Sequence, residues 1–448
     1  MKKIIVIGAG VAGLATALRL RELGADAIVL EKESQRGGRV QTIREDGFII
    51  DRGASFLMSG YRQTFELIRT LGLEEEIERP RVSVRYEVLC NDRFFHADYG
   101  SRLGLLRYRA VPFAQRLRLG RLAALALRLS GPHSPEFLTT RGLETLDDED
   151  LAPFISRVVG NDLMENYFEP LLTAYCGWAP EDVSRSYLAL LTRIGKMDLF
   201  VLRKGAGQLT EALARSVPVE CRAKAVSVIE TEGGLDVAVE GIDRTRQVLN
   251  ADGVVLALPG PSVFDLWPGC TKPERAFLRH VSYATAVLAH LCVDKDWGYA
   301  GHHGFLFPRR SGRKTICVAL EHVRYRGRAP GGKSLLYTGP RLDEKASLLS
   351  APDAEVIDIC MRDIESEFPG IKDATHNAYV FRWENALPRF PVGYFRGLHD
   401  FLSSRISGRI ELAGDYIGGP CIEGAVASGN AAARRIFSAV HGHINDRN

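Results

Sequence analysis

At 448 residues, 46% of them hydrophobic and 25% charged, the chain is too long for one ordinary core and too apolar for a disordered polymer, so two interleaved globular domains are predicted. A net charge of +3 is too small for this length to predict a nucleic-acid partner. None of the 8 cysteines stands in a C-x-x-C pair or at metal-ligand spacing, so no metal is expected, and reduced thiols in a cytoplasmic setting are.

Residues 3–7 form a short β-branched run of the kind buried on both faces of a parallel sheet. The apolar stretch behind Met1-Lys2-Lys3 is cut by Gly8, Gly10 and Gly13 and reads as a strand, not as a signal peptide. Gly8-Ala9-Gly10-Val11-Ala12-Gly13 then opens a helix over 14–23 that stops at Gly24. At such a strand-to-helix turn, backbone N–H groups and the helix dipole meet a pyrophosphate. A second strand, 27–30, delivers Glu31 where a carboxylate accepts the hydroxyls of an adenosine ribose, with Lys32 next to it. These residues predict a dinucleotide and leave FAD and NAD both open.

The next stretch separates them. Glu31-Lys32-Glu33 leads to Gly37-Gly38-Arg39-Val40-Gln41-Thr42 and then to Gly47-Phe48-Ile49-Ile50-Asp51-Arg52-Gly53-Ala54-Ser55-Phe56. Here the chain resembles the large flavoprotein group of monoamine oxidases, protoporphyrinogen oxidases and phytoene desaturases. The resemblance implies FAD, with Gly38 and Arg39 beside the pyrophosphate and Gly53, Ala54, Ser55 and Phe56 under the flavin. No cysteine or histidine matches a flavin-attachment motif, so the cofactor is expected to be non-covalent.

Residues 60–200 alternate helical patterns with polar turns. Between Asp98 and Glu136 no acid interrupts Arg102, Arg107, Arg109, Arg116, Arg118, Arg121 and Arg128, which are interleaved with Leu, Phe and Ala. That stretch either docks on an anionic membrane surface or is a solvated face paired with acids elsewhere. Lys204-Gly205-Ala206-Gly207-Gln208-Leu209 precedes a helix, and strands are predicted at 221–231, 234–239 and 253–258. The resemblance places Val226 at the adenine. Further strand-like runs at 286–293, 315–320 and 378–383 predict a sheet floor with helices over it. Near the C-terminus, a buried strand at 409–412 and the loop Ala413-Gly414-Asp415 lead to a small-residue helix over 422–436. Its positive N-terminal dipole would face the flavin's pyrimidine edge. By resemblance Asp415 lies near the ribityl chain, with Gly414, Pro420, Cys421 and Ile422 at the ring; a surface cap is the other reading of Asp415.

The fold class expected is thus α/β: a Rossmann-type FAD-binding domain at 1–80, 203–260 and 405–440, with an inserted α+β substrate domain at 81–202 and 261–404. The amine-oxidase branch carries a lysine where counting back from Trp297 puts Val287, and a cage tyrosine where this chain has Cys421. Gly177-Trp178 through Ser184, and Trp383-Glu384-Asn385 through Phe390, instead resemble segments of the protoporphyrinogen-oxidase and desaturase side. That likeness implies Cys176, Gly177 and Asn385 at the substrate and Trp383 at the cofactor. Asn91-Asp92-Arg93-Phe94-Phe95 resembles a strand whose arginine meets a propionate; Arg93 is either that ligand or an exposed strand residue.

The expectation is an FAD-dependent oxidase or desaturase that passes hydride from a largely apolar, tetrapyrrole-like small molecule to flavin N5. Reoxidation falls to O₂ or a quinone, since no second strand-bound glycine motif exists for NAD(P)H. A flavin amine or amino-acid oxidase and a non-catalytic FAD-stabilised binding protein are the alternatives. No catalytic base is assigned, because lone histidines such as His280 and His290 are more often packed core residues.

Overall fold

The computed structural model describes residues 2–442 apart from 82–83, 102, 119, 123, 125–141, 195–197, 300, 342–345 and 405–407. Five short strands far apart in the chain form one parallel sheet, in the order Val219–Cys221, Asp26–Glu31, Lys3–Ile7, Gly253–Leu256 and Ile410–Leu412. Its central residues, Ile4 to Val6 and Val254 to Leu256, are fully buried, as continuous apolar runs covered on both faces must be. Helix Val11–Glu22 and the last helix, Ile422–His441, cross this sheet together. They approach closely because Gly429 has no side chain: a Cβ there would lie 2.5 Å from the Ala12 carbonyl oxygen. The Thr16 hydroxyl donates across the gap to the Gly429 carbonyl at 3.2 Å.

The strand expected over 221–231 is broken. Arg222 adopts a left-handed φ of 59°, and its backbone N–H turns to the Glu33 carbonyl at 3.0 Å. Val219–Cys221 therefore joins the parallel sheet, while Lys224–Thr231 pairs with Gly234–Glu240 and Arg246–Ala251 in a separate antiparallel sheet. The last helix runs to His441, beyond the predicted end.

The larger sheet has seven strands, ordered Thr375–Pro388, Tyr283–Val293, Ser334–Pro340, Thr315–Leu320, Gly304–Leu306, Arg85–Cys90 and Arg93–Asp98. Its two-residue period decides what faces what. Along Thr315–Leu320, Val318 and Leu320 pack on Met361 and Ile364 of helix Asp353–Ile364, whereas Cys317 and Ala319 line a cavity. Helix Glu169–Cys176 packs on the same strand. In the basic stretch, helices Gly104–Arg107 and Phe113–Leu117 leave Leu103, Leu106, Phe113 and Leu117 exposed; Arg102 and Arg128 lie outside the described residues. Among the described residues no helix is long and apolar enough to cross a membrane.

Candidate active site

A cavity of roughly 1200 Å³ separates the parallel sheet from the seven-stranded one. Residues at or just beyond the carboxyl ends of four parallel strands line it, among them Gly8, Glu31, Ala257 and Gly414, which is where open α/β sheets bind ligands. The first turn is shaped by packing on one side and space on the other. Gly8 has φ +106°, and a Cβ there would sit 2.5 Å from the Ala257 carbonyl oxygen, whereas a Cβ on Gly10 would meet nothing within 4 Å. Gly10 thus leaves room for a phosphate beside the N-terminus of helix Val11–Glu22. Glu31 braces this turn by accepting the Ala9 N–H at 2.8 Å and the Glu33 N–H at 2.9 Å. The Gly37 N–H donates to the Ala9 carbonyl at 2.8 Å, which sets the Gly37-Gly38 turn alongside.

Arg39 knits three distant segments together at the cavity wall. Its Nη1 donates to Asp415 Oδ2 at 2.6 Å and to the Ala386 carbonyl at 2.8 Å, and its guanidinium lies over the Tyr283 ring at 5.7 Å. The Tyr283 hydroxyl donates to the other Asp415 oxygen at 3.2 Å. Burial opposes the Arg39 charge, but Asp415 and Tyr283 outweigh it and raise its pKa. Asp415 is buried and ion-paired, so it is not a surface cap.

Asp51 is a second hub: it accepts the Thr42 hydroxyl at 2.6 Å, the Ala206 N–H at 2.9 Å and Arg328 Nη1 at 2.8 Å. The last helix brings its N-terminal turn to the cavity through Cys421, Ile422 and Ala425. The acid of that turn points elsewhere: Glu423 accepts the Gln63 and Thr64 N–H groups and the Thr64 hydroxyl, capping helix Arg62–Thr70. Burial raises its pKa, against those hydrogen bonds. The Cys421 thiol accepts the Gly424 N–H at 3.4 Å, and burial pushes its pKa to about 12, so it stays protonated at neutral pH.

All the residues assigned to the cofactor line this one cavity except Gly13, which is packed behind the turn with its Cα hydrogens toward the Gly8 carbonyl. Cys176, Gly177, Asn385 and Trp383 line it too. Arg93 does not: it is exposed at the start of an edge strand, after a tight turn through Asn91 and Asp92 with positive φ. Besides Arg39, the arginines that line the cavity are Arg309, Arg324, Arg341, Arg382 and Arg389, of which only Arg389 falls in a segment the sequence singled out. Arg324 could have been flagged by its i,i+3 spacing from Glu321.

His280 is an exposed helix-end residue, not a packed one, and its Nδ1 lies 2.7 Å from the Ala276 carbonyl. His290 is buried and lines the cavity, edge-on to Tyr337 and Phe381. Burial pushes its pKa down to about 4, so the imidazole is neutral. Val287 is buried at the cavity wall, and among the described residues the only lining lysines are Lys32 and Lys224, near Glu31 and Val226.

Coproporphyrinogen III oxidase of Bacillus subtilis (strain 168) is 24% identical over 96% of this chain and 97% of its own length. The mitochondrial protoporphyrinogen oxidase of Nicotiana tabacum is 22% identical over 98% and 95%. Among solved structures, cyclohexylamine oxidase from Brevibacterium oxydans IH-35A shares the fold, with a TM-score of 0.77 at 17% identity over 97% of this chain and 98% of that one. The family described as flavin containing amine oxidoreductase matches residues 11–437. With that match running from the first helix to the last, the chain belongs to the flavin-containing amine oxidoreductases and is a flavin-dependent oxidoreductase.

Proposed function

We propose that the chain is an FAD-dependent oxidase that dehydrogenates a porphyrinogen-like substrate, large, mostly apolar and bearing acidic side chains. One observation carries this reading: the dinucleotide-type turn opens into a chamber that holds buried arginines and, among its described residues, no lysine on the substrate side. The names of the two curated relatives point the same way. The segments 1–80, 203–260 and 405–440 form the FAD-binding part, and the remainder the substrate-binding part. Gly8, Gly10 and Gly38 hold the pyrophosphate, Glu31 the adenosine ribose, and Val226 the adenine. Gly53 to Phe56, Gly414, Asp415, Trp383 and the Cys421-Ile422 turn border the isoalloxazine and its ribityl chain. The protonated Cys421 thiol fits a non-covalent flavin.

A flavin held there would supply hydride acceptance from carbon at N5 and onward transfer of the electrons to O₂ or a quinone. The chain's own contribution is position and dryness. Cys317 and Ala319 on the sheet floor give the substrate an apolar bed, and Arg39 with Asp415 fixes the junction between floor and cofactor cradle. The neutral His290 adds no cation to that bed.

The exposed Leu103, Leu106, Phe113 and Leu117, set among Arg107, Arg109, Arg118 and Arg121, form an apolar and basic patch that fits an anionic bilayer surface, from which an apolar substrate is collected. Co-sedimentation with vesicles of acidic phospholipid tests it; binding unchanged in the R116E/R118E/R121E variant excludes docking. For the reaction, the purified protein should show oxidised-flavin absorption that bleaches anaerobically with coproporphyrinogen III or protoporphyrinogen IX. A flavin reduced only by amines overturns the reading.

A further inference from the structure

Dehydrogenation next to nitrogen releases a hydride and a proton, and the proton needs an acceptor. Most carboxyl groups lining the cavity are placed or engaged elsewhere. Glu31 and Glu33 stand beside the glycine turn, and Asp265 belongs to helix Gly260–Leu266, which packs on the strand of Val226. Asp51 and Asp415 are each paired with an arginine, and Glu384 is exposed to solvent. Both ring nitrogens of His290 are sealed. Glu321 is what remains on the substrate side.

Glu321 opens the short helix Glu321–Arg324 directly after the floor strand Thr315–Leu320, and its side chain is 8% exposed. Its Oε1 accepts Arg324 Nη1 at 2.6 Å. No hydrogen bond from a described residue engages Oε2, and this oxygen, unlike Arg324 Nε, is not sealed, so it keeps open surface where the residue lines the cavity. Burial opposes the Arg324 charge, but Tyr325, Glu321, Tyr86 and Tyr175 outweigh it and raise its pKa, so a fixed positive charge stands beside the carboxylate. Tyr86 and Tyr175 also line the cavity, with their hydroxyls 2.9 Å apart and either able to donate. The Tyr175 ring in turn meets Phe56 edge-on at 5.4 Å. This aromatic file leads from the segment proposed to border the flavin to the Glu321–Arg324 pair.

We propose that Glu321 is the proton acceptor of the reaction. Its Oε2 accepts a hydrogen bond from a substrate N–H. The electron pair of the C–H bond conjugated with that nitrogen leaves with its hydrogen as hydride to flavin N5. The N–H bonding pair enters the new double bond, and the proton passes to Oε2, which becomes a carboxylic acid. The acid returns the proton to water as the product leaves. The assignment rests on flavin-dependent dehydrogenation, and on the porphyrinogen reading only for the pyrrole identity of the N–H.

The test is anaerobic stopped-flow reduction of the flavin-loaded enzyme by coproporphyrinogen III and by benzylamine, which separates the limiting rate from the half-saturating concentration. Glu321→Gln keeps an oxygen for Arg324 and the shape of the side chain but loses its basicity. The limiting rate should therefore fall roughly 100- to 10,000-fold with half-saturation unchanged. Glu321→Asp keeps a carboxylate and should recover a large part of that rate. Should E321Q shed its flavin, E321Q/R324Q removes the pair without stranding a charge and gives the same readout. A limiting rate in E321Q equal to that of the wild type, or equal losses in the Gln and Asp variants, overturns the assignment. Reduction of the wild type by benzylamine alone, lost in E321Q, keeps the acceptor and overturns the porphyrinogen reading; coproporphyrinogen reducing wild type and E321Q alike does the reverse. A wild-type flavin that neither probe reduces overturns both.

Discussion

The two halves of the cavity are built in different ways. The wall around Gly8, Gly37 and Gly414 is made largely of backbone, held by turns whose glycines are packed against carbonyls at Gly8 and Gly37 and against the Tyr416 ring at Gly414. The wall around Cys317, Arg324 and Arg341 is made of side chains sent in from a strand and from the residues that follow two strands. A backbone-built wall recognises what every dinucleotide has in common. A side-chain-built wall can be exchanged residue by residue without disturbing the backbone-built one.

The contrast would break most visibly at Gly13. A Cβ there would sit 1.9 Å from the Gly8 carbonyl oxygen, so Gly13→Val should cost about 3 kcal/mol or more and abolish flavin retention. A purified G13V protein with an unchanged ratio of flavin to protein absorbance would show that the turn is not rigidly packed. On the other wall, the buried neutral His290 carries a pH signature. Its folded pKa of about 4 lies below the ordinary 6.5, so its contribution is intact above pH 6.5 and is lost as the pH falls toward 4, by about 3 kcal/mol in all. His290→Leu should flatten the fall in melting temperature over that window; an identical pH profile would assign the fall to other groups.

Asp415→Ala joins both halves, because it strands Arg39 at their junction. A loss of about 2–3 kcal/mol is expected, less than for a fully buried pair because the Arg39 side chain is 30% exposed, and flavin affinity should weaken by about tenfold for each 1.4 kcal/mol lost. Denaturant melts with and without added FAD would separate the two effects. The smallest change is expected from Cys421→Ser. A hydroxyl caps a helix at least as well as a thiol, so stability should move by less than about 1 kcal/mol. Acid precipitation should release all the flavin from both proteins; flavin retained by the wild type alone would show a covalent link.

What the sequence made legible follows the same division. Gly8 to Gly13, Glu31, Gly37 to Arg39 and Gly414-Asp415 are local patterns whose geometry is set within a few residues, and apart from Ala9 and Gly13 they line one cavity. Arg93 was placed by likeness of a short strand, and that strand proved to be the sheet's exposed edge. Arg341 was invisible because its burial depends on Glu169, a residue on a distant helix whose approach no local pattern encodes. The break at Arg222 was hidden for a related reason: non-glycine residues rarely adopt a left-handed φ, and here tertiary hydrogen bonds to Glu31 and Glu33 impose it.

The parallel sheet has one further consequence, for the order of events during synthesis. Lys3–Ile7 is among the first strands to leave the ribosome, yet the sheet closes only with Ile410–Leu412, and the helix covering it is the last element described. At roughly 5–20 residues per second the first strand waits on the order of tens of seconds for the sheet's last strand, which pairs with Gly253–Leu256, and for the helix that covers them. Cofactor capture is therefore a terminal step, and free dinucleotide in the cell acts as a selective trap for finished chains, pulling them out of the pool that proteases and aggregation can reach.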